Sequence, residues 1–223
     1  MCMYLFFKSV NELNSKSVLE KFSLQELKKK IEILAIDDDG FSYLELLNNH
    51  GFHITYKKDI TDLKEVEPYD CILCDIRGVG KFLGSQYDGA YLVQQIRKNY
   101  PSKIIIAYTA ESLAANYQSF MSYADDIIEK GAEIERWTAS LDKYFMEAVD
   151  PIRQWKKVRT ALLAANVPSI EVAILESKYV KAIQKGTFRS YAELNKNRNN
   201  HIGQVLGKIA ITILEKIFLG EIS

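Results

Sequence analysis

A chain of 223 residues, 48% hydrophobic and 26% charged, is long enough for one generous domain or a domain with an appendage, and its make-up is that of a folded globular protein rather than a disordered or fibrous one. Its formal charge of zero hides an asymmetry: residues 151–223 carry 12 Lys/Arg against 5 Asp/Glu, whereas residues 1–150 carry 17 against 24, so an acidic body precedes a basic tail. Three cysteines offer no disulfide framework, no run reaches ~18 apolar residues, and the apolar opening lacks a basic region and is interrupted at Lys8. A secreted scaffold and a membrane span are thereby set aside, and a cytoplasmic protein is the expectation.

In chain order, Ser23 and Glu26 form a Ser-x-x-Glu capping box, with Lys28, Lys29 and Lys30 at the far end where cations suit a helix dipole, so a short helix is predicted. The run from Ile31 to Asp39 is apolar over a strand's length and then ends in Asp37, Asp38 and Asp39, the pattern of a buried parallel strand delivering charge to the carboxyl edge of a sheet. Adjacent carboxylates repel, and putting them to joint use points to a hard divalent cation, Mg²⁺, while a solvated acidic turn capping the next helix is the plainer reading. Tyr43, Leu44, Leu46 and Leu47 predict a helix that stops at Asn48-Asn49-His50-Gly51, followed by a strand over His53–Lys57 and a short helix over Asp59–Val66.

A second strong strand, Cys71 to Asp75, again ends in a carboxylate. Its Cys-x-x-Cys places the two thiols on opposite faces of a strand, which reads as core packing rather than a redox or zinc pair. The loop from Arg77 to Gly89 is glycine-rich but lacks the spacing of a nucleotide-binding loop. A helix over Ala90–Lys98, a strand over Lys103–Ala107 running into Tyr108, Thr109 and Ala110, a helix over Ala114–Tyr123, a strand from Ala124 to Lys130 and a helix over Ile134–Val149 follow. This alternation predicts an α/β, doubly wound, five-stranded parallel sheet whose strand ends share one edge.

Four strand ends thus bring the acidic trio, Asp75, Thr109 and Lys130 to one place. In their order and spacing, the segments Ile33–Asp39, Tyr69–Asp75, Ile105–Ala110 and Ala124–Lys130 resemble the response-regulator receiver domain of two-component signalling, over roughly residues 31–148. The resemblance implies that Asp75 accepts a phosphoryl group from a phosphohistidine. It implies that Asp38, Asp75 and the backbone carbonyl of Arg77 ligate Mg²⁺, with Asp37 acting through a metal-bound water. Lys130 would pair with the phosphoryl group, Thr109 would move its hydroxyl onto it, and the small Ala110 would leave room for the donor. The sequence departs from the family where Gly131 stands in place of the usual proline, where Ile127 stands in place of a frequent aromatic, and where the loop after Asp75 is longer and lacks Met-Pro. Arg77 and Glu111 flank the site as a pair expected to close over its mouth.

The expected organisation is an N-terminal extension (1–30, partly helical) packed alongside a receiver (31–149), then a helical C-terminal region (150–223). In that region, Trp155, Val158, Leu162 and Leu163 predict one helix, Ile170–Ile183 a second, and Ile202–Phe218 a third with a broad apolar face suited to a homodimer or partner interface. Asn195–Asn200 reads as a polar loop and His201 as a helix-start residue. Basic residues dispersed along the tail argue against nucleic acid. The expectation is a phosphorylation-dependent response regulator, a signalling protein and not an enzyme, partnered by a sensor histidine kinase or phosphotransfer protein. A receiver-like adaptor that is never phosphorylated and, further off, a DNA-binding regulator are the alternatives.

Overall fold

The computed structural model describes residues 7–14, 19, 20, 22–110 and 117–187. The chain divides into two compact units, 23–146 and a second made of 1–22 with 147–223. In the first, helix α1 (Leu24–Lys30) precedes strand β1 (Glu32–Ile36), then come α2 (Leu44–Asn49), β2 (His53–Lys57), β3 (Cys71–Asp75), α3 (Asp88–Asn99), β4 (Ile104–Thr109), α4 (Gln118–Met121), β5 (Asp126–Glu129) and α5 (Ile134–Ala148). All five strands pair in parallel, in the order β2-β1-β3-β4-β5.

Burial follows that order. Every residue of β3 and β4 is buried, as is β1 after Glu32, whereas β2 and β5 at the edges are partly exposed. Central parallel strands are covered on both faces, which is why these three read as unbroken apolar runs. Cys71 and Cys74 lie within this core as free thiols, and burial pushes both well above the usual thiol range.

Local signals set the helix ends. The Ser23–Glu26 capping box forms at the start of α1, and α2 stops before Gly51 at φ +86°. The helix predicted over Asp59–Val66 contracts to one 3₁₀ turn, Leu63–Val66, capped by Asp62. Asp59 instead turns its carboxylate outward from that segment and accepts from Gly80 N–H (2.6 Å) and Lys81 N–H (3.3 Å), pinning the long loop after β3. Residues 111–116, including Glu111 and the first residues of the predicted Ala114–Tyr123 helix, lie outside the described residues.

In the second unit, α6 (Pro151–Ala164) begins with Asp150 as N-cap and Pro151 in its first turn, and α7 (Ser169–Lys185) ends at Gly186. Trp155 of α6 stacks on Tyr179 of α7 at 5.0 Å between ring centroids. The N-terminal segment joins these helices: Val10 N–H donates to the buried Glu176 (2.9 Å) and Lys8 N–H to Ser177 Oγ (3.2 Å). The N-terminal thirty residues therefore separate, with 8–13 tied to α7 and α1 belonging to the sheet unit. Asn195–Asn200, His201 and Ile202–Phe218 lie outside the described residues.

Close packing behind β3 shows at Gly89, where a Cβ would run into the Asp75 carbonyl oxygen and the Val79 side chain, whereas a Cβ at Gly131 would meet nothing within 4 Å. Gly89→Ala is expected to lower stability by ~1–3 kcal/mol and Gly131→Ala to change it by less than ~0.5 kcal/mol. Urea denaturation of the two variants checks the contrast.

Candidate functional site

The order 2-1-3-4-5 places the topological switch between β1 and β3, and ligands of open α/β sheets bind beyond the carboxyl ends of the strands at such a point. Register brings the acids together there. Ile36 stands opposite Cys74, so one step further along both parallel strands Asp37 comes beside Asp75. Carboxylate oxygens of Asp37, Asp38 and Asp75 all lie within 4.8 Å of one another. Asp37 is 1% and Asp75 5% exposed, while Asp38 is half-buried and Asp39 exposed, outside the cluster.

Lys130, one residue past β5, reaches across the edge: its Nζ is 2.5 Å from Asp75 Oδ2 and 3.1 Å from Asp37 Oδ2. Thr109 is buried at the end of β4, and its carbonyl accepts from Lys130 N–H (2.8 Å), which sets the lysine beside it. Ala110 is exposed next to it. Arg77 donates its backbone N–H to Asp75 Oδ1 (3.3 Å), while its guanidinium lies 5.8 Å from the Tyr117 ring centre. Gly78, at φ +72°, brings backbone so close to Asp38 that any Cβ would strike the carboxylate. Ile127, on the outer strand, is 38% exposed.

Several contributors escaped sequence reasoning. Tyr108, buried behind the acids, donates its hydroxyl to Asp37 Oδ2 (3.1 Å) and Ile36 O (3.2 Å), and Tyr56 donates to the Asp37 carbonyl (2.9 Å). Lys81, on the long loop, sits 3.7 Å from Asp38 Oδ2. The Tyr43 hydroxyl contacts the turn that carries Lys130. Tyr108, adjacent to Thr109 at a strand end, could have been suspected; nothing local marks Tyr43 or Lys81.

Burial raises the Asp75 carboxyl above its ordinary range, and the hydrogen bond and charge of Lys130 only partly offset this. Burial alone would lower Lys130, but its hydrogen bonds to Asp75 and Asp37 outweigh that and hold it above the usual lysine range. Tyr108 is pushed far up by burial and by the Asp37 charge, so it stays a neutral donor. Lys130 shared by two acids and the exposed Lys81 near the third still leave excess negative charge on hard oxygen donors, and this donor set fits Mg²⁺.

No protein-family model matches the chain, and no curated protein matches its sequence. Solved structures to which it is similar are CheY-like response-regulator receiver domains, over about half of the chain. The chemotaxis protein CheY4 of Vibrio cholerae is 20% identical over 51% of this chain and 97% of its own, with a TM-score of 0.41. A CheY-like receiver domain protein of Methanospirillum hungatei is 19% identical over 52% and 94%, at 0.42. A response regulator of Thermotoga maritima is 16% identical over 52% and 98%, at 0.43.

An Asp75 carboxyl raised on folding binds its proton more tightly in the folded chain. Its contribution to stability is present below the unfolded value and is lost as pH rises through the folded one. Asp75→Asn, neutral throughout, is therefore expected to be at least as stable as wild type near about pH 7, with the difference shrinking toward about pH 4. Thermal unfolding of both proteins across that range checks the sign.

Proposed function

We propose that this chain is a two-component response regulator that accepts a phosphoryl group on Asp75. The observation that carries the reading is the acid cluster of Asp37, Asp38 and Asp75 with the Lys130 ammonium on two of its members, at the switch point of the sheet. An Asp75 carboxylate oxygen attacks phosphorus, the bond from phosphorus to the donor's nitrogen breaks, and the imidazole leaves with the electron pair, giving an acyl phosphate. Lys130 stabilises the charge that gathers on the phosphoryl oxygens, and Thr109, at the adjacent strand end, offers its hydroxyl to one of them. Asp38, Asp75 and the Arg77 carbonyl would ligate Mg²⁺, with Asp37 acting through a water. When bound, the ion neutralises oxygens that would otherwise repel the incoming group.

The donor in this reading is a sensor histidine kinase or a phosphotransfer protein, and the chain works in the cytoplasm. No helix among the described residues is long and apolar enough to cross a membrane. The receiver would span 31–149, with the extension before it and the helical region after it as the output, acting through a homodimer or partner. A receiver-like adaptor is the second reading, favoured by the absence of a ring or hydroxyl at the exposed Ile127.

With a small-molecule phosphodonor and Mg²⁺, wild type is expected to gain the mass of one phosphoryl group, read by intact mass spectrometry. Asp75→Asn should gain none, Lys130→Ala should react on the order of 100-fold more slowly, and chelation of Mg²⁺ should stop the reaction. Unchanged labelling of Asp75→Asn would reject the acceptor, and no gain by wild type would favour the adaptor.

A further inference from the structure

We propose that Tyr43 is a positioning residue for Lys130, acting through the backbone turn that carries it. The inference rests on the reading of Lys130 as the phosphoryl-binding cation.

Lys130 follows the last residue of an edge strand and enters a tight turn closed by Ala132 N–H donating to Glu129 O (3.0 Å). The middle of that turn is Gly131, which has no side chain to restrict it and open space where a Cβ would be. Glycine is the least restricted residue, so the local sequence does not dictate where this turn holds its neighbour. Yet the Lys130 ammonium must reach Asp75 and Asp37 together, at 2.5 and 3.1 Å. The Thr109 carbonyl holds the Lys130 N–H (2.8 Å), and something outside the turn has to hold its carbonyl side as well.

The Tyr43 hydroxyl does so. It lies 2.7 Å from the carbonyl oxygen of Lys130 and 2.7 Å from that of Ala132, its proton shared between the carbonyls on either side of Gly131. The ring is itself held, 4.9 Å from the Trp137 ring and 6.1 Å from that of Phe41, both of which are buried. Phe41 and Trp137 in turn pack against Tyr108, whose hydroxyl donates to Asp37. Tyr43 also stands six residues after Asp37, on the connection from β1 that presents the acids. One loop thus supplies the Asp37 carboxylate to the Lys130 side chain and clamps the backbone of the same lysine.

Tyr43→Phe keeps the ring and removes only the hydroxyl. It is expected to slow phosphoryl acceptance from a small phosphodonor about 3- to 10-fold, the range of one neutral hydrogen bond. The decisive comparison repeats the substitution in a Lys130→Ala background, where it should slow the residual reaction no further. Equal slowing in both backgrounds would assign Tyr43 a general structural role and overturn the proposal, as would an unchanged rate in the single variant. Nitrogen-detected NMR of the lysine ammonium groups gives a readout independent of phosphorylation. The Lys130 signal, identified by its loss in Lys130→Ala, should shift or broaden in Tyr43→Phe, and an unchanged signal would also overturn the proposal. If wild type accepts no phosphoryl group while this signal still responds, the positioning role stands and the phosphoacceptor reading falls.

Discussion

The ammonium of Lys130, shared between Asp37 and Asp75, is the interaction on which the sheet edge depends. Three carboxylates with oxygens inside 4.8 Å repel one another, two of them in a largely desolvated setting where that repulsion is least screened. A buried pair costs desolvation that good geometry has to offset. Here the offset comes from several donors: Lys130 to both acids, Tyr108 and the Asp39 N–H to Asp37, and the Arg77 N–H to Asp75. The residual negative charge is what suits the edge to a divalent cation.

Everything around the cluster serves its crowding. β1 and β3 run side by side, so their carboxyl ends arrive together, and β5 brings the cation from two strands away by way of β4. Glycines allow the backbone to close in, Gly78 against the Asp38 carboxylate and Gly89 against the Asp75 carbonyl. The long loop between them is fastened near its start by the Asp59 carboxylate, at Gly80 and Lys81, and by Asp88 Oδ2, which accepts from Gly78 N–H (3.4 Å). The same loop carries Lys81 to 3.7 Å from Asp38 Oδ2.

The second unit is organised around a different buried charge. Glu176 accepts from the Val10 N–H with one carboxylate oxygen and lies 3.6 Å from the Arg159 guanidinium with the other. An N-terminal turn and two C-terminal helices are thereby joined by a residue that would be costly to bury without both partners. Tyr179 adds a hydrogen bond to the Pro151 carbonyl beneath its stack with Trp155.

The five strands, the acids at two of their ends, and the places of Thr109 and Lys130 at the ends of two others were legible in the sequence. Apolar runs, capping boxes and glycine stops are properties of consecutive residues, and those at Ser23, at Gly51 and along β1, β3 and β4 act alike in the sequence and in the fold. The helix expected over Asp59–Val66 fails, because only Leu63–Val66 forms a single turn and Asp59 is drawn to a loop 21 residues away. Tertiary structure alone decided the register that sets Asp37 beside Asp75, the reach of one ammonium to both, the tie of residues 8–13 to α7, and the tyrosine hydroxyls of positions 43 and 108. Those two hydroxyls meet partners 87 and 71 residues distant in the chain. A contact of that kind depends on how whole elements pack and leaves no mark on the residues next to it.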